Sequence, residues 1–279
     1  MSLVLEGVTA THPAAPTGTH AIEDVDLVVH DGEQLALIGP SGAGKTTLLT
    51  ICSLQLRPAA GRVLIDDIDP WTLSTRARHA LRKCLFVAPQ VPPLPSRQRV
   101  VTSVLAGRLP QQGLLQSLAS LIYPKRADLA FDALATMDLE DKLWQRVDRL
   151  SGGERQRVSL ARLLVSDARR WYVDEPLSAL DPALAEQSLR VLVDGATVRR
   201  VTLIASLHQV DLAVRCFPRL VGLAKGRVVF DRASREVDDD LQAHLYGLRV
   251  DAAPVHDGES STAAPGFVED GIFIPTRIG

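Results

Sequence analysis

Apolar residues change their spacing several times along the chain, and each change marks a predicted element. Leu3, Val4 and Leu5 predict a first strand. From Asp24 to Val29 apolar and charged residues alternate with the period of a half-buried antiparallel strand. A loop rich in Pro, Thr and His separates the two. The turn His30, Asp31, Gly32, Glu33 then delivers the chain to Leu35, Ala36, Leu37 and Ile38, whose unbroken apolar character predicts a buried strand. Leu48, Leu49 and Ile51 mark a helix start, and Arg57 to Gly61 turns the chain. Arg62 to Asp66 predicts a further strand, and Leu81 to Val87 another that ends at Ala88, Pro89 and Gln90.

The texture changes at Val91. The run VPPLP, Val91 to Pro95, fits neither helix nor central strand, because its prolines remove backbone donors, and it reads as a stiff linker. Val100 to Arg108, Gly113 to Tyr123 and Lys125 to Leu139 follow with helical spacing. Roughly Val91 to Asp167 is therefore expected to form an inserted helical subdomain. Strand patterns resume at Trp171, Tyr172 and Val173, which run into Asp174 and Glu175. They continue at Val201 to Ala205 and in a hairpin, Leu220 to Ala224 and Arg227 to Phe230, turning through Lys225 and Gly226. Strands alternating with helices predict an α/β core with a largely parallel sheet. Arg232 to Tyr246 is expected to close the domain as a helix. From Asp251 to Gly266 the chain has no period and predicts a flexible tail, although its last segment, GIFIPTRIG, is more apolar.

Composition narrows the classes. At 279 residues the chain can bury a full core without staples. Lys and Arg total 31 against 33 Asp and Glu, with a pI of about 6.4, which argues against a basic nucleic-acid footprint. Cys52, Cys84 and Cys216 have no metal-ligand spacing and are expected to be buried free thiols in a reducing compartment. No apolar run approaches the roughly 18 residues of a spanning helix, and the N-terminal stretch MSLVLEGVTA carries Glu6 and no basic leader. A soluble chain, reaching any membrane through partners, is the expectation.

Chemistry enters with GPSGAGKTT: Gly39, Pro40, Ser41, Gly42, Ala43, Gly44, Lys45, Thr46 and Thr47. A strand, a glycine loop and a helix start form the context of a phosphate-binding loop, in which backbone N–H groups and the positive helix end converge on an anion. Lys45 can reach the outer phosphates, and the Thr46 hydroxyl is placed to hold Mg2+. This loop alone leaves kinases, GTPases and motors open. A second stretch, LSGGERQRVSLAR from Leu150 to Arg162, puts Ser151, Gly152 and Gly153 at another helix start, either a simple cap or a second anion site.

With these stretches the chain resembles the ATP-binding subunits of ABC transporters, whose signature LSGGQ stands here as LSGGE. The resemblance covers nearly all of Met1 to Gly247, in family order: the phosphate loop, Gln90, the signature, WYVDEP at Trp171 to Pro176, SALDP at Ser178 to Pro182, and His208. It implies an α/β P-loop NTPase (RecA-like) core with an antiparallel β subdomain and the inserted helical subdomain, in a nucleotide-binding domain over residues 1–248 followed by a tail over 249–279. It implies ATP and Mg2+ as cofactors, with Thr46, Gln90 and Asp174 at the metal. Lys45 and His208 would meet the γ-phosphate, and Glu175 would be the general base. In this family the phosphate loop of one subunit meets the SGG stretch of another, so a head-to-tail homodimer is expected. Ser151, Gly152 and Gly153 would then face the partner's ATP, and Asp181 would communicate between subunits. His12, in THPAAP, stands where the family stacks adenine on an aromatic ring, and is the candidate adenine contact.

Within the family the chain is most similar to ATPases of phosphonate importers, through VLAGRLP (Val104 to Pro110), SLASLIYP (Ser117 to Pro124) and the stretch from Ser206 to Asp231. Phosphate, phosphite or another small oxyanion is the alternative solute. A translation or DNA-repair ATPase of the same family would carry a second cassette or long insertions, which this chain does not. The implied partners are transmembrane permease subunits and, indirectly, a solute-binding protein, with the chain peripheral on the cytoplasmic face of the membrane and no nucleic acid involved.

Overall fold

The computed structural model describes residues 2–11, 19–113 and 125–247. In chain order the strands are β1 (Ser2–Ala10), β2 (Ile22–His30), β3 (Gln34–Ile38), β4 (Ala60–Ile65), β5 (Leu85–Ala88), β6 (Arg170–Asp174), β7 (Thr202–Leu207), β8 (Arg219–Ala224) and β9 (Arg227–Ala233). The helices are α1 (Lys45–Cys52), α2 (Thr75–Arg82), α3 (Val100–Leu105), α4 (Ala127–Ala135), α5 (Gly152–Leu164), α6 (Pro182–Arg199), α7 (Val210–Cys216) and α8 (Asp239–Gly247).

The strands sort into two sheets. β2, β1 and β4 form a small antiparallel sheet; a larger one runs β5-β6-β7-β3-β8-β9, parallel from β5 to β8 and antiparallel at β9. The larger sheet is buried on both faces, which is why its central strands read as continuous apolar runs rather than as alternation. The period of two reappears in where the side chains go. Leu35, Leu37, Tyr172, Ile204 and Val221 join the core that contains β1, β2, β4 and α1. Their neighbours Ala36, Ile38, Trp171, Val173, Leu203, Ala205 and Leu220 join the other core, built with α3 to α8. Between Val91 and Asp167 the described residues carry helices, turns and one isolated bridge, Arg99 to Arg146, but no strand, with α3, α4 and α5 packed on one another.

Several expectations shift. The strand read from Leu81 starts at Leu85, because α2 occupies Thr75–Arg82, capped by the Ser74 side chain. Basic residues crowd that helix and no side chain on it is buried, so it offers little apolar period to read. The stretch expected as one helix over Arg232 to Tyr246 is three elements, with a 3₁₀ turn at Ser234–Glu236 in the middle. Arg232 and Ala233 finish β9, paired to Leu220 and Arg219, and α8 begins only at Asp239, where Asp238 accepts from the Leu241 N–H at 2.8 Å. Asp66 lies in a turn beyond β4, with φ 54. Of the three free thiols only Cys52 is buried; Cys84 and Cys216 are half-buried. The helix expected over Gly113 to Tyr123 falls almost wholly, and the tail wholly, outside the described residues. No helix among the described residues is long and apolar enough to cross a membrane.

Candidate functional site

β3 ends at Ile38, and the chain turns through Gly39 before α1 starts. Gly39 has φ 149, and a Cβ there would sit 2.1 Å from the Leu223 carbonyl oxygen on β8. Only glycine lets the loop run this close to the neighbouring strand. Gly44 is the N-cap of α1 and offers no side-chain cap, and the first helical turn holds no acidic residue. The unpaired N–H groups of that turn and the positive end of the helix therefore make an anion site. Lys45 is buried, and its Nζ donates to the carbonyls of Gly39 and Pro40 at 2.8 and 3.2 Å. Burial holds its pKa below the ordinary lysine value, while the Glu175 and Asp174 charges act in the opposite direction. Cys52, at the far end of the same helix, is fully buried.

The carboxylates arrive on the next strands. In the parallel register Asp174, the last residue of β6, lies opposite Ser206 on β7. The Ser206 hydroxyl donates to Asp174 Oδ1 at 2.6 Å and accepts from the Glu175 N–H at 3.0 Å. Thr46 Oγ1 donates to the same Asp174 oxygen at 3.2 Å. Glu175 has φ 45, a left-handed conformation that breaks the strand. Its carboxylate is held from two sides: Gln90 Nε2 donates to Oε2 at 2.7 Å, and His208 Nε2 pairs with Oε1. Gln90, Glu175 and His208 each lie just past the end of one of three adjacent parallel strands, β5, β6 and β7, beside the loop that leaves β3. This is the carboxyl edge where open α/β sheets place ligands. The resulting cleft, about 460 Å³, is lined by Ala21, by Ser41 to Thr47, and by Gln90, Glu175 and His208.

The structure thus brings together Lys45, Thr46, Gln90, Asp174, Glu175 and His208. Ser151, Gly152, Gly153 and Asp181 do not line this cleft. Ser151 caps α5 in a capping box: its hydroxyl accepts from the Glu154 N–H at 3.2 Å, and its own N–H donates to Glu154 Oε2 at 2.7 Å. Asp181 caps α6, accepting from the Leu184 N–H at 3.1 Å. His12 lies outside the described residues. The sequence reading missed Ser206, although a hydroxyl among the apolar residues Leu203, Ile204, Ala205 and Leu207 was a signal, since a buried hydroxyl needs a partner. It also missed Ala21, which nothing in the sequence marks.

A phosphate-type loop beside two consecutive carboxylates at the end of a parallel strand defines a nucleotide-binding cassette. The ABC transporter family model matches residues 22–178, and the chain belongs to this family. Among solved structures it is similar to a dimeric ATP-binding cassette in a post-hydrolysis state bound to ADP and Pi, with 26% identity, a TM-score of 0.72, and coverage of 84% of this chain and 100% of that one. Among curated relatives it is 55% identical over 251 residues to the "Phosphonates import ATP-binding protein PhnC 2" of Albidiferax ferrireducens, covering 90% of this chain and 91% of the relative. The "Phosphonates import ATP-binding protein PhnC" of a Polaromonas species is 50% identical over 267 residues, covering 95% of this chain and 96% of that protein.

Proposed function

We propose that the chain hydrolyses ATP as the motor subunit of an importer for phosphonate, peripheral on the cytoplasmic face of the membrane and joined to permease subunits that a solute-binding protein supplies. The domain doing this work is residues 1–248, with 91–167 as its inserted helical part and 249–279 as a tail. The observation that carries the hydrolytic reading is the Glu175 carboxylate, held by Gln90 and His208 at the edge of an anion-binding cleft. The solute is supported by the names of relatives at 55% and 50% identity.

The residues fit the chemistry. The uncapped N-terminus of α1 and Lys45 receive the β- and γ-phosphates, and the loop from Gly39 to Thr47, whose residues Ser41 to Thr47 line the cleft, cradles them. Thr46 Oγ1 and Asp174 Oδ1, 3.2 Å apart, are hard oxygen donors of the kind Mg2+ prefers, and Gln90 adds an amide oxygen. These residues would hold Mg2+, whose charge would offset that of the phosphates. Glu175 accepts a proton from water as the water oxygen bonds to the γ-phosphorus and the bond from phosphorus to the leaving ADP oxygen breaks. His208 donates to the γ-phosphate and Gln90 orients the water. Ser151, Gly152, Gly153 and Asp181 lie outside the cleft of their own chain, which supports a head-to-tail pair in which they complete the second copy's site. His12 is the proposed adenine contact.

Glu175→Gln keeps the shape and removes the base. Hydrolysis is expected to fall about 100- to 10,000-fold, while MgATP still binds and the ATP-bound dimer accumulates on sizing. A monomer turning over at the native rate overturns both assignments. For the solute, phosphonate-loaded binding protein is expected to stimulate hydrolysis by the reconstituted complex; equal stimulation with inorganic phosphate overturns the choice.

A further inference from the structure

Gln156 lies on α5, just beyond the Ser151–Gly153 end, and is buried. Its side chain makes two bonds to one loop: Nε2 donates to Ser178 Oγ at 2.7 Å, and Oε1 accepts from the Ala179 N–H at 2.9 Å. That loop runs from Glu175 to Asp181. Gly153 lets it approach, since a Cβ there would lie 2.9 Å from the Ala179 carbonyl oxygen. With Gln90, Pro92 and Pro176, Gln156 also lines a small cavity between α5 and the linker. One amide therefore joins two segments, the start of α5 and the loop that follows Glu175, and lies across a cavity from the joint at Gln90.

We infer that Gln156 is a positioning residue that ties the Ser151–Gly153 end of α5 to the placement of Glu175 in the same chain. This rests on the proposed hydrolysis at a dimer interface. A helix start that engages a second copy's nucleotide can then shift the loop that carries this chain's own base, without any contact between Gln156 and nucleotide. A buried amide whose donor and acceptor are both used resists replacement by an apolar group of similar size, because the Ala179 N–H is left unpaired. Since displacing reacting groups by about 1 Å can cost on the order of 100-fold in rate, the effect belongs in kcat.

The test uses the full chain with Gln156→Leu, Ser178→Ala, the double variant, and Leu163→Ala as a control for loosening α5, Leu163 being fully buried on that helix. ATP affinity of the isolated subunit is expected to stay within about twofold of native, and kcat to fall about 10- to 100-fold in Gln156→Leu. The double variant should be no slower than the slower single one, as expected when both act through one bond. Below its melting temperature Leu163→Ala should keep most of its kcat. Independent, multiplying effects of Gln156→Leu and Ser178→Ala, or a kcat loss in Leu163→Ala as large as that in Gln156→Leu, overturns the inference. So does a native kcat in Gln156→Leu. Should the native chain itself fail to hydrolyse MgATP, the proposed function fails first, and the two failures stay distinct.

Discussion

Two helices of this molecule start with glycines and a hydroxyl residue, yet their N-termini are in opposite states. α1 begins at an uncapped glycine with no acidic residue in its first turn, and its N–H groups open onto the cleft. α5 begins at a serine whose hydroxyl already serves the Glu154 N–H, while the Glu154 carboxylate serves the serine N–H. The glycines differ in purpose too. Gly39 supplies a positive φ and a close approach to Leu223, whereas Gly153 supplies only room for the Ala179 carbonyl. The first helix start is open to an anion; the second has its Ser151 and Glu154 N–H groups already paired at rest and keeps the Gly152 and Gly153 N–H groups, the Ser151 hydroxyl proton and the helix dipole to offer. Similar sequence texture at two helix starts therefore does not mean equal readiness to bind.

The comparison breaks most sharply at the glycines. Gly39→Ala puts a methyl 2.1 Å from a backbone oxygen at a strained φ, and is expected to cost about 2–4 kcal/mol of stability in denaturant unfolding. Gly153→Ala, at 2.9 Å with no positive φ, should cost less, about 1–2 kcal/mol. A reversed order would show that the loop, and not the helix start, has freedom to yield. Ser151→Ala comes next. Losing the cap is worth about 1 kcal/mol, and ATP binding to the isolated chain should be unchanged while hydrolysis falls. A weaker monomer affinity would place Ser151 in its own chain's site. The smallest effect is expected from Glu154→Gln, which keeps the box but removes a negative charge from the helix start, along with a 3.9 Å pairing to Lys142. Stability should move by under about 0.5 kcal/mol, and the ATP-dependent dimer should tighten about two- to fivefold at low salt. A dimer that weakens instead would mean that the Glu154 charge is not felt across the interface.

These contrasts also explain what could be read in advance. The phosphate loop, Asp174, Glu175 and the signature stretch were legible because each packs its chemistry into a few consecutive residues. Gln90 and His208 were legible only through their order in a family pattern; in isolation neither differs from a surface side chain. Ser206 and Gln156 act across 32 and 22 to 23 residues of sequence, so their partners exist only once β6 and β7, or α5 and the 176–181 loop, have come together. The boundary near Arg232 was misread for a similar reason. Arg219 reaches across the hairpin to Asp231, its Nε 2.7 Å from Oδ1, and holds β9 extended past the point where local pattern favours a helix.

Burial of Cys52 at the end of α1 sets how this motor meets oxidants. Removal from water pushes its thiol up to about 12, so near neutral pH only on the order of one molecule in 10⁵ carries the reactive thiolate. Peroxide and alkylating reagents thus find little reactive thiolate at the far end of α1 while the fold is closed. With Cys84 and Cys216 replaced, any modification of Cys52 becomes a clock for local opening of the nucleotide-binding half, and ATP should slow it.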